Sequence, residues 1–135
     1  MFPNSGKPNM SAAIATRYVR GMVTIESRGR GDIDGALARI ESRFDLPFWP
    51  LWHLRKGRAK TCNPSFLARI KLAYFDLCLG QLETLLTEIG IERKAADDAH
   101  LENLERKARA MAEAVDAQKA LIAAGAAGRT DGGRP

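Results

Sequence analysis

The chain has 135 residues, 45% of them hydrophobic and 27% charged, which leaves room for one domain with tails and excludes a wholly disordered polymer. No apolar run approaches the ~18 residues that span a bilayer, and the opening MFPNSGKPNM lacks the apolar centre of a secretory leader, so a cytoplasmic protein without membrane contact is expected. The net charge of +5 is unevenly spread: from Arg17 to Lys71 twelve Lys or Arg stand against five acids, and from Leu72 to Glu105 two stand against eight.

In chain order, residues 1–10 are polar and rich in proline and glycine, and are expected to lack fixed structure; Met10 is an alternative start. From Ser11 to Glu26 the apolar residues Ile14, Tyr18, Met22 and Ile25 recur at helical spacing, with Arg17 and Arg20 off that stripe. SRGRGD interrupts as a loop carrying Arg28 and Arg30. Asp32 is a candidate cap for a second helix reaching about Phe44, whose apolar face is Ala36, Leu37, Ile40 and Phe44.

Pro47 and Pro50 are both tolerable in a first helical turn, which gives a short third helix from about Pro47 to Lys56, stopped by Gly57. NPSF then sets Asn63 as a cap and Pro64 at the first position of a fourth helix. Its stripe runs through Phe66, Leu67, Ile70, Tyr74, Leu77, Leu82, Leu85 and Ile89 to Gly90, with a possible kink near Gly80. After Asp97 and Asp98, Leu101, Leu104, Ala108, Met111 and Val115 form a heptad seam on a fifth helix. The glycine-rich end is read as a mobile tail. No strand periodicity and no internal repeat are visible.

The expected fold is therefore all-α: a small head, residues 11–72, followed by long antiparallel or coiled-coil helices, residues 73–122, and a tail from 123 to 135. Cys62 and Cys78 form no CxxC or Cys/His framework and are expected as reduced thiols. His53 and His100 stand far apart without a ligand set around either. There is no phosphate loop, no nucleophile elbow and no paired acids, so no enzyme, no metal or other cofactor and no small-molecule substrate is expected.

The most telling stretch is Asp45 to Lys60, DLPFWPLWHLRKGRAK, in which three aromatics and two prolines precede His53 and four Lys or Arg side chains. No acid occurs between Asp45 and Asp76, whereas an ordinary solvated helix face mixes both signs. Arg55, Lys56, Arg58, Lys60, Arg69 and Lys71 are thus candidates for phosphate contact, and Arg28 and Arg30 for backbone or minor-groove contact. Large aromatics are usually core; that reading is favoured for Trp52, as core or partner contact, and stays open for Trp49.

Over about Ala36 to Lys60 the sequence resembles the Cro/C1-type helix-turn-helix proteins of phages and bacteria. Ile40, Phe44, Leu46, Leu51 and Leu54 fall where that motif keeps its interhelical core, and LRKG followed by RAK is similar to its helix-ending segment. The chain also looks similar to small alphaproteobacterial proteins with a comparable xLPxxxLWxLR core. Two departures stand out: Glu41 where the family has a small residue, and Asp45 where it has a turn glycine. The resemblance implies double-stranded DNA as the partner and a regulatory or nucleoid-organising role; the long apolar seams supply a means of pairing into a homo-oligomer, most simply a dimer, with an intramolecular hairpin of the fourth and fifth helices as the alternative.

By the same resemblance Phe48, Trp49, Trp52, His53 and Lys56 occupy base-reaching positions. Aromatics read base edges poorly compared with Arg or Asn, so wedging, stacking or thymine-methyl contact is implied. Two other classes stay open: an adaptor or antiactivator that docks its aromatic helix on a protein, and an RNA or single-strand binder that stacks bases on Trp49.

Overall fold

The computed structural model describes residues 8–95 and 99–132. They form five helices and no strand: α1 Met10–Glu26, α2 Ile33–Phe44, α3 Phe48–Arg55, α4 Pro64–Ala95 and α5 Ala99–Gly132. The protein is all-α, as the periodicity implies. Among the described residues no helix is long and apolar enough to cross a membrane. Asp97 and Asp98, residues 1–7 and the last three residues of the chain lie outside the described part.

Helix α1 starts one residue before the expected Ser11, inside the segment expected to lack structure. The side chain of Asn9 accepts from the Ala12 backbone N–H at 2.9 Å, and the Asn9 N–H donates to the Lys60 carbonyl at 2.8 Å. The Ser11 hydroxyl adds a bond to the Cys62 carbonyl, so the start of α1 is fastened to the loop before α4. The most deeply buried stripe of α1 is Ala12, Ala15, Val19 and Met22, whereas Ile14, Tyr18 and Ile25 are only half-buried. The face of α1 that is buried is the one set by its three neighbours α2, α3 and α4, which surround it on more than one side.

Asp32 occupies the capping position of α2 but makes no side-chain cap. Its carboxylate instead accepts from the Arg28 N–H and from the Arg39 guanidinium. Asp45 ends α2 in the left-handed conformation, φ 55°, the geometry a short turn needs and Asp tolerates. Glu41, awkward in sequence, reaches across this turn, and its carboxylate accepts from the Phe48 N–H at 2.9 Å. It therefore caps α3, where Pro47 supplies no side-chain acceptor.

Gly57 closes α3 at φ 75°, with the Gly57 N–H on the Leu54 carbonyl and the Arg58 N–H on the His53 carbonyl, a Schellman arrangement. Leu46, Leu51 and Leu54 join Val19, Met22, Leu37, Ile40 and Ile70 in one core.

Asn63 caps α4 through its bond from the Ser65 N–H. The helix spans 32 residues rather than about 26, continuing through both Gly80 and Gly90. Glycine in a helix interior costs roughly 1 kcal/mol against alanine, and packing along α5 offsets that. The two long helices form an antiparallel hairpin within the chain: Arg93 pairs with Glu102 and Glu105 near the connection, and Lys119 with Asp76 about halfway along both helices. Helix α5 remains helical to Gly132, beyond the boundary drawn at residue 122 from composition.

Candidate nucleic-acid interface

Eight residues make α3, so its sides are easily assigned. Leu51 and Leu54 point into the core; Phe48, Trp52 and Arg55 are half-buried; Trp49, Pro50 and His53 face outward, with Lys56 beyond them. Trp49 is 62% exposed. The rings of Phe48, Trp49, Trp52 and His53 meet edge to face in sequence, at centroid distances of 5.1, 5.7 and 5.2 Å. This is a stiff aromatic ridge with one bare tip.

Trp52 packs on the core with one side and meets cations with the other. The Lys56 ammonium stands 5.6 Å and the Arg58 guanidinium 5.1 Å from its ring centroid. Cation–π attraction holds both charges against the ring while leaving their N–H groups available. Arg20, on α1, donates its Nε–H to the Arg55 carbonyl at 3.2 Å, and its guanidinium lies beside Gly57. Arg20, Arg55, Lys56 and Arg58 therefore gather around the C-terminal end of α3, where the helix dipole favours positive charge.

Among the described residues, none of these four cations, nor Lys60, has a carboxylate within 4.0 Å. Acids of α1, α4 and the start of α2 pair with other cations: Glu26 with Arg39 and Arg43, Asp32 with Arg39, and Asp76 with Lys119 and Arg43. The backbone N–H of Arg28 and then the Arg39 side chain hold the Asp32 carboxyl below the usual aspartate range.

The expected residues do not all converge. Lys60 lies further along the loop, where its carbonyl receives the Asn9 N–H. Arg69 and Lys71 leave opposite sides of α4, about 200° apart at two residues' separation. The Arg69 guanidinium donates to the Asp45 carbonyl and lies over Phe66, so it braces the left-handed turn between α2 and α3. Lys71 is half-buried, with its ammonium 6.0 Å from the Tyr18 ring, and borders a cavity with Leu121 and Ile122 under α5. Arg28 and Arg30 are exposed in the α1–α2 loop, more than two helical turns along the chain beyond Arg20.

Arg20 is the residue that sequence reading passed over. It merely falls off the apolar stripe of α1, and its contact spans 35 residues, so no local pattern signals it.

Comparison of this chain with protein-family models, with curated proteins and with solved structures finds no match.

Proposed function

We propose that the protein binds nucleic acid, duplex DNA first, through the outer face of α3 and the loop that follows, as a transcriptional regulator or nucleoid-associated protein. The observation that supports this best is the gathering of Arg20, Arg55, Lys56 and Arg58 at one helix end without a carboxylate partner among the described residues. Unpaired cations on one surface release counterions when they meet phosphates, which supplies affinity without sequence information. The resemblance of the α2–α3 segment to Cro/C1-type proteins points the same way. Trp49 and His53, facing outward from α3, suit shape readout or wedging better than bidentate base reading.

A mobility-shift titration of blunt duplex DNA at two salt concentrations tests the proposal. Replacing Arg55, Lys56 and Arg58 with Ala is expected to weaken binding by about tenfold or more and to flatten the log–log salt slope by roughly 2–3. Unchanged affinity of the folded triple variant at low salt overturns the reading.

The 62% exposure of Trp49 favours a second reading, an adaptor that docks this helix on another protein. Partner capture abolished by Trp49→Ala, with no nucleic-acid binding at any salt, identifies that case.

Dimerisation belongs to the proposal as well. The heptad seam is partly used inside the hairpin, where Ala108 is buried, but Leu104 and Met111 stay 39% and 58% exposed and Leu85 44%. A second copy covering these residues would present two basic heads to one duplex. Sedimentation equilibrium of the wild type against a Leu104→Ser, Met111→Ser variant reads this directly, with a monomeric wild type as the contrary result.

A further inference from the structure

The basic surface borders a crevice of about 330 Å³ between the end of α3 and the start of α4. Its more buried lining is apolar, from Leu54, Ala59, Cys62 and Phe66, and the exposed Pro50, His53, Arg58 and Lys60 form its rim. No acid lines it. An apolar lining with a cationic rim selects an anion that carries a flat hydrophobic body, because each half of such a ligand finds the surface that water serves poorly. The volume lies at the small end of ligand pockets, ~300–1,000 Å³, enough for one ring system with its phosphate.

Arg58 connects the crevice with the interface. Its guanidinium lies 5.1 Å from the Trp52 ring centroid, and the same residue lines the crevice. A strand following the cations from Arg55 and Lys56 would thus bring its next nucleotide to the mouth.

We infer that this crevice holds a single nucleoside 5′-monophosphate unit, with the base over Phe66 and Pro50 and the phosphate between Arg58 and Lys60. The inference rests on the nucleic-acid reading for the origin of that unit as an unstacked nucleotide of a strand; a free mononucleotide presents the same chemistry. Stacking of a base on an aromatic face tolerates any base, so the crevice takes purines and pyrimidines alike.

The test is a titration of the full chain by tryptophan emission, for which Trp52 beside Arg58 is the reporter. The probes are adenosine 5′-monophosphate, a six-residue deoxyadenosine oligonucleotide and inorganic phosphate at matched ionic strength. The first two are expected to give saturable changes and phosphate none. Oligonucleotide binding about tenfold or more tighter than mononucleotide identifies a strand as the source, and near-equal affinities identify a free nucleotide.

Ala59→Leu, which adds bulk to the crevice lining, is expected to weaken both probes by about tenfold or more while leaving helical content unchanged. Thr61→Ile, on the same wall, replaces it if the first variant does not fold. No saturable change with either nucleotide probe, or wild-type affinity in the filled variant, overturns the inference. Duplex binding measured on the same preparations separates the two proposals: its absence beside intact nucleotide binding removes the duplex reading and keeps the crevice.

Discussion

At the scale of single residues, two acidic side chains do work their neighbours' types did not announce. Glu41 supplies the acceptor that α3 lacks at its start, where both Pro47 and the chain geometry leave the Phe48 N–H without a local partner. Glu41→Ala is expected to destabilise by about 1 kcal/mol, the usual effect of losing a helix cap, read from the midpoint of urea unfolding. A midpoint equal to wild type would mean that water serves that N–H equally well.

Asp32 gathers the Arg28 N–H and the Arg39 guanidinium, and its carboxyl is held below the ordinary aspartate range. A lowered folded-state value means that the stabilisation is complete above the unfolded value of about 3.9 and is lost as pH falls through the lower folded one. Melting temperature against pH should therefore decline on the acid side in the wild type and decline less steeply in Asp32→Asn. Parallel curves for the two proteins contradict this.

At the scale of elements, the seam between α1 and α4 depends on an aromatic cluster. Tyr18 meets Tyr74 at 5.1 Å and Phe75 at 5.9 Å, and Tyr74 lies directly over Gly21. A Cβ at residue 21 would stand 2.7 Å from the Tyr74 ring, closer than any real carbon contact. Gly21→Ala gains helix propensity on α1 but must push the ring aside, and overpacking of this kind costs typically 1–3 kcal/mol. Net destabilisation in chemical denaturation is the expected result; a more stable variant would show that Tyr74 has room to swing out.

The α4–α5 hairpin is built differently. Ion pairs with partly exposed partners, each of which contributes little in water, tie it near the connection and about halfway along, and Ile89 and Ala108 are buried between them.

At the scale of the molecule, that contrast predicts unequal stability. Of the buried residues among those described, Ile89 and Ala108 lie beyond Leu77 and Ala68 borders the cavity under α5; the rest belong to the cluster formed by α1, α2, α3, their connections and the first half of α4. A chain ending at Ala95 should still unfold cooperatively, at a lower temperature, and should retain whatever duplex affinity the full chain has. Loss of cooperative unfolding in that chain would show that the hairpin is part of the folding unit.

The charge division seen in sequence maps onto this architecture. The unpaired cations around α3 belong to the head, and the acids of the hairpin are partly spent on Arg93, Arg109 and Lys119.

What the sequence determined by itself is local. Helical spacing marked α1 and α2 to within a residue or two, the prolines and Gly57 marked the bounds of α3, and Asn63-Pro64 marked the start of α4. These signals act within one or two turns, through capping bonds and the sterics of φ, and need no tertiary partner. Packing decided the rest. The length of α4 through two glycines, and the helical continuation of α5 past residue 122, run against composition and depend on helices lying side by side. Which cations share a surface was likewise unreadable: Arg20 joins Arg55 from 35 residues away, while Arg69 and Lys71, adjacent in pattern, turn to opposite flanks. The direction of a side chain follows from helix phase, but its neighbours follow from the angles at which helices cross, and those are set only when the whole core closes.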